Sequence, residues 1–144
     1  MTHLLDVNLL IALLWPAHEA HDKAQRWFAE NADYGWATCP ITQAGFVRIV
    51  SNPSFSRRSS SPKDALRILA ASLEHRAHRF WAEDIGVQDA FAISGQRLVA
   101  HQQVTDAYLL GFALHKKGRM ATLDSSLPEL LPVGSSARRS ISLV

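Results

Sequence analysis

Short apolar runs alternate with longer segments of helical period from one end of the chain to the other. Thr2–Leu5 is a brief apolar strand that breaks at Asp6, and Leu9–Leu14 is apolar on every side, as a buried helix is. Pro16 stops that helix. Ala20, Ala24, Trp27 and Phe28 then recur at helical spacing, opposite a face that carries Glu19, Asp22, Lys23 and Arg26. Tyr34–Thr38 reads as a second strand, and Ile41–Val50 as a helix ended by Asn52-Pro53. Ser54–Ser61 is a polar connection containing Arg57 and Arg58, the place where mobility is expected. Ser61-Pro62-Lys63-Asp64 then spells a helix start, with a serine cap, proline at the first helical position and a carboxylate in the first turn. A strand over Arg79–Ala82, a helix over Val87–Ile93 and a helix over Thr105–Lys117 capped by Gly118 follow. Arg119–Leu123 is a strand running into Asp124, and Ser140–Val144 is a last edge strand.

Strands separated by helices throughout predict an α/β architecture, a mostly parallel sheet covered on both faces. With 144 residues, 47% of them hydrophobic and 19% charged, the chain is expected to form one folded domain over residues 1–144. Cys39 is the one cysteine, so no internal disulfide forms and a reducing, cytoplasmic setting is expected. The longest apolar run, Leu9–Trp15, is too short to span a bilayer and lacks the basic flank of a signal peptide, so no membrane partner is expected. The seven histidines have no paired-ligand spacing and Gly-x-Gly does not occur, which sets aside zinc and a glycine-rich phosphate loop. The four tryptophans lie in apolar contexts and read as packing, and His75-Arg76-Ala77-His78-Arg79 reads as a solvated helix end.

The net charge of +2 conceals a pattern. Residues 1–47 sum to −3, whereas residues 48–79, with Arg48, Arg57, Arg58 and Lys63 among their cations, sum to +5. A basic central third beside acidic flanks leaves a polyanionic partner open where the total argues for none.

Parallel α/β sheets bind ligands beyond the carboxyl ends of their strands. Asp6 and Asp124 fall there, and Asp106 joins them if the helix it opens starts at the crevice. Taken one at a time, each suits a cap, a helix dipole or a turn. Together, three converging carboxylates repel one another unless a cation lies between them, and an all-oxygen set selects a hard ion such as magnesium or manganese.

Leu4-Leu5-Asp6-Val7-Asn8-Leu9-Leu10-Ile11, Val104-Thr105-Asp106-Ala107-Tyr108-Leu109-Leu110 and Met120-Ala121-Thr122-Leu123-Asp124 together resemble the PIN-domain family, and within it the VapC-type ribonuclease toxins. The resemblance spans residue 4 to about residue 131 and implies a PIN-like three-layer α/β/α sandwich. It further implies a magnesium-dependent endoribonuclease, with manganese able to substitute, that cuts structured RNA such as tRNA or rRNA and is restrained by a cognate antitoxin. Asp6, Asp106 and Asp124 match the family's metal-binding and catalytic aspartates; Asn8 and Thr122 match polar residues that orient them. A homodimer is usual among such toxins.

One position departs from the pattern. The family's glutamate on the helix after the second strand aligns with Gly45, which has no side chain to offer. Gln43 lies about 200° away around the helix and should face elsewhere, while Thr42 lies nearer the pocket. The gap leaves either one held ion or a second completed by water and substrate, and it keeps open a PIN-fold module that binds RNA or antitoxin with weakened catalysis. Arg48, Arg57, Arg58 and Lys63 are the candidate RNA contacts. A receiver-like phosphotransfer domain fits less well, because adjacent acids after an early strand are absent.

Overall fold

The computed structural model describes residues 1–58 and 60–144, so Ser59, inside the polar connection 54–61, lies outside the described residues. Five strands, β1 (His3–Leu5), β2 (Trp36–Thr38), β3 (His78–Phe80), β4 (Arg119–Thr122) and β5 (Ile141–Leu143), form one sheet in the order β3-β2-β1-β4-β5. Every pairing is parallel. The connections carry α1 (Val7–Leu14), α2 (His21–Asn31), α3 (Pro40–Val50), α4 (Pro62–Leu73), α5 (Val87–Ser94) and α6 (Val104–His115).

Strand alternation divides the core in two. Leu5, Trp36 and Ala121 point to the face covered by α1 to α4, where Leu9, Phe46 and Leu69 are buried with them. Leu4, Ala37 and Met120 point to the other face, against Leu109 and Phe112 of α6 and Ala90 of α5. The result is three layers. Leu4, Leu5, Leu9 and Leu10 are all completely buried, and truncating any one to alanine should cost about 2–5 kcal/mol. β1 lies between β2 and β4; the β1-to-β2 connection covers one face of the sheet and the β3-to-β4 connection the other, so the crevice forms above the carboxyl ends of β1 and β4.

Several boundaries differ from the sequence reading for physical reasons. β3 begins one residue earlier than expected and ends at Phe80, because its partner β2 stops at Thr38, whose carbonyl takes a last bond from the Trp81 N–H. α6 ends at His115, and the left-handed residue after it is Lys117 (φ 57°), not Gly118. Glycine at 118 answers a close approach: a Cβ there would stand 2.7 Å from the Thr2 carbonyl oxygen. The histidines of 75–79 are not a solvated helix end. His75 Nδ1 accepts from Trp36 Nε1 and from the Ala77 N–H, and His78 Nε2 is hydrogen-bonded to the Thr38 hydroxyl, while Arg76 and Arg79 stay exposed. Among the described residues no helix is long and apolar enough to cross a membrane.

Candidate active site

Asp6 is the residue at which β1 becomes α1. Its extended backbone makes it the N-cap, and one carboxylate oxygen accepts the Val7 N–H at 2.7 Å. The other accepts the Thr122 hydroxyl at 2.7 Å from the end of β4. Only 6% exposed, the carboxyl is pushed above its usual range, first by burial and further by the charge of Asp124, with its two hydrogen bonds pulling the other way.

Asp106 sits in the first turn of α6, half-buried, with no hydrogen-bond donor on its carboxylate among the described residues. Its pKa is pushed up to about 6, chiefly by burial and then by the charges of Asp6 and Asp124. Asp124 follows β4 and turns one oxygen to the Ser126 N–H (2.8 Å) and hydroxyl (2.7 Å). That Asx-type turn is the one the sequence reading allows for Asp124, at Asp124-Ser125-Ser126.

Thr122 and Asn8 tie these elements together. The Thr122 hydroxyl accepts from Asn8 Nδ2 at 3.2 Å and from the Asp124 N–H at 3.0 Å. Asn8 Oδ1 in turn accepts the Leu123 N–H at 3.1 Å. Asn8 therefore reaches Asp6 through Thr122 and not directly. Thr42 is placed differently: its hydroxyl accepts the Cys39 N–H and donates to the Cys39 carbonyl, capping α3, and no bond from it reaches the carboxylates. The Gln43 amide turns away to the Thr38 hydroxyl. Gly45 is buried against α1, where a Cβ would stand 2.8 Å from Val7 Cγ2, and α3 contributes no acidic side chain. Arg48 lies exposed on α3, Arg57 and Arg58 in the turns after it, and Lys63 in the first turn of α4.

The oxygen donors suit a hard divalent ion. Asp106 has no cationic partner among the described residues, and two neighbouring carboxylates oppose its charge, so a cation relieves repulsion at this point. As the side chains stand, no three His, Cys, Asp or Glu among the described residues are close enough to enclose one ion. Asp6, Asp106 and Asp124 are the side chains whose oxygens could hold such an ion.

The PIN domain family profile matches residues 3–130. The chain is 43% identical over 134 residues to Ribonuclease VapC39 of Mycobacterium tuberculosis, covering 93% of this chain and 96% of that protein. Ribonuclease VapC38 of the same species is 42% identical over 124 residues, 86% of each. In three dimensions the chain resembles a chain in the crystal structure of VapBC2 from Rickettsia felis bound to a promoter DNA fragment, with a TM-score of 0.63, 13% identity, and coverage of 100% of this chain and 98% of that one. Aspartates at the ends of β1 and β4 and in the first turn of α6, on a five-stranded parallel sheet with this profile and these relatives, establish that the chain belongs to the PIN domain family, in its VapC branch.

Proposed function

We propose that this protein is a metal-dependent endoribonuclease, the toxin of a toxin–antitoxin pair, that hydrolyses phosphodiester bonds in structured RNA such as tRNA or rRNA. The observation that carries the reading is Asp106: half-buried, without a hydrogen-bond donor, and raised to about 6 beside two other aspartates. Such a group is stabilised by a cation and poorly explained as a structural carboxylate. Relatives called ribonucleases, at 42–43% identity over most of the chain, support the same reaction class.

Asp6 and Asp106 would hold magnesium, or manganese in its place, with Asp124 through water. A hard ion held by these residues would supply Lewis-acid chemistry, polarising the phosphate and lowering the pKa of an attacking water. The rest falls to the chain. Thr122 fixes one oxygen of Asp6 and Val7 the other, so the carboxylate cannot rotate out of the crevice. Above about pH 6 Asp106 has released its proton and presents a free anionic oxygen. Arg48, Arg57, Arg58 and Lys63 would neutralise flanking phosphates. The antitoxin would lay an apolar segment in the groove of about 420 Å³ between α1, α2 and α4, lined by Leu14, Phe28 and Trp36. The toxin itself would be a homodimer.

Purified protein should cut RNA with magnesium or manganese present, and Asp6→Asn should abolish cutting. Full cleavage in excess EDTA, or by Asp6→Asn, would overturn the proposal. The absence of an acid on α3 favours one other reading, a module that retains RNA without cutting it; RNA binding with no metal-dependent fragments would establish that instead.

A further inference from the structure

A second cavity, of about 330 Å³, opens beside the first turn of α6, and the carboxylate chemistry does not account for it. Ile41, Phe91, Val104 and Tyr108 wall it, and Glu83 and Thr105 supply its polar groups. That size lies at the lower end for small-molecule pockets, which combine apolar walls with a few convergent polar atoms.

Glu83 is the unusual member. It comes from the segment between β3 and α5, and its Oε1 accepts the Ile41 N–H at 2.8 Å, capping α3. Its Oε2 has no donor, and no cation pairs with it among the described residues. Half-buried beside the apolar wall, that oxygen stays open to solvent and is within reach of a ligand's hydrogen-bond donor. Burial raises the Cys39 thiol and the Tyr108 phenol above their ordinary values, and the charge of Glu83 raises both further. Val87 and Val104, which also line the cavity, are 55% and 42% exposed, an apolar rim that the folded chain leaves uncovered.

Position and charge identify the occupant. Val104 and Thr105 immediately precede Asp106, so a nucleotide with its phosphate at the carboxylates has its base next to this mouth. The negative charge of Glu83 repels phosphate, which leaves a base as the part of the nucleotide to enter. Among the four bases, guanine alone presents two donors side by side on its Watson–Crick edge, N1–H and N2–H, the match for a carboxylate. Its O6 accepts from a hydroxyl such as that of Thr105. Unpaired RNA bases are commonly read this way, splayed out against aromatic groups and hydrogen-bonded on their edges.

We infer that the cavity bounded by Glu83, Val104, Thr105 and Tyr108 is a guanine-binding subsite that selects an unpaired guanosine next to the scissile phosphate. This rests on the ribonuclease reading for its place in the reaction, although binding can be measured without it. The full-length protein, ¹⁵N-labelled and in magnesium so that the carboxylates do not repel the phosphate, would be titrated with GMP, AMP, CMP and UMP. GMP should shift the amides of Ile41, Gly86, Val104 and Thr105 and bind about tenfold more tightly than UMP, the loss expected for one missing charge-assisted hydrogen-bond pair.

Glu83→Gln, whose carbonyl still accepts the Ile41 N–H, should remove that preference, and Val104→Trp should fill the mouth and abolish binding. Equal affinity for all four nucleotides, or an undiminished GMP preference in Glu83→Gln, overturns the inference. So does a response that follows self-association measured by light scattering, since a second copy would then be what covers the rim. GMP binding in a protein that cuts no RNA would count against the ribonuclease reading alone; cleavage without GMP binding would count against the subsite alone.

Discussion

The Thr122 hydroxyl donates to Oδ2 of Asp6 at 2.7 Å, joining the end of β4 to the end of β1 across 116 residues of sequence. Its lone pairs are taken by Asn8 Nδ2 and the Asp124 N–H, and its single proton goes to Asp6 at 2.7 Å in preference to Asn8 Oδ1 at 3.4 Å. One hydroxyl thereby fixes the first aspartate by its side chain and the last by its backbone.

Removing that hydroxyl in Thr122→Val should cost about 1–3 kcal/mol of stability, because the buried Asp6 carboxylate loses its donor and the half-buried Asn8 amide and Asp124 N–H lose their acceptor. Metal-dependent cleavage should fall about 10- to 100-fold, the usual effect of losing a group that orients a metal ligand. Thr122→Ser should recover most of both. Urea unfolding and initial cleavage rates check it, and wild-type rates in Thr122→Val would refute the role.

Asp106 makes a prediction of unusual sign. A carboxyl raised to about 6 binds its proton more tightly in the folded chain than in the unfolded one. Its stabilising contribution is therefore complete below the ordinary carboxylate value of about 4 and is lost as pH rises through about 6. In EDTA, Asp106→Asn should unfold at higher denaturant than wild type at pH 7.5, by about 1 kcal/mol after allowance for solvent screening, and show no such gain at pH 3.5. Equal midpoints at pH 7.5 would show that the repulsion is absent.

Gly45 sets a helix gain against a packing cost. Alanine in a helix interior is favoured over glycine by about 1 kcal/mol. A Cβ at 45 would meet Val7 Cγ2 at 2.8 Å and Cγ1 at 3.3 Å, and a branched side chain contacted at both methyls cannot swing clear. Overpacking of this kind costs about 1–3 kcal/mol, so Gly45→Ala should be destabilised by about 1 kcal/mol net. Val7→Ala in the same chain should reverse the sign, a coupling that a double-mutant cycle measures.

Arg48, Arg57, Arg58 and Lys63 predict a salt effect. Each alanine substitution should lower the slope of log affinity against log salt for single-stranded RNA by about 0.7. Arg119, at the start of β4 and so at the other end of that strand from Asp124, should leave the slope unchanged. Filter binding over a salt series separates the two sets.

Most of the architecture was legible in the sequence because apolar strands and capped helices announce themselves locally. Asp6 and Asp124 stood out as polar residues ending apolar runs, and Ser61-Pro62 marked α4 to the residue. Partnerships across the chain were less legible. Nothing near His75 or His78 shows that Trp36 and Thr38 lie beside them, so a run with two arginines looked solvated. Glu83 capping Ile41 across 42 residues is equally invisible to local spacing. Aligning the family's glutamate with Gly45 located the missing acid, but only the contact with Val7 shows that position 45 has no room for a larger side chain.

The two principal carboxylates belong to different layers. Asp6 opens a helix packed on one face of the sheet, and Asp106 opens a helix packed on the other. Their separation is thus a gauge of how the layers sit across the β1–β4 seam. An ion gripped by both would act as a mechanical clamp, slowing amide exchange in the first turns of α1 and α6 together while leaving the far ends of those helices untouched.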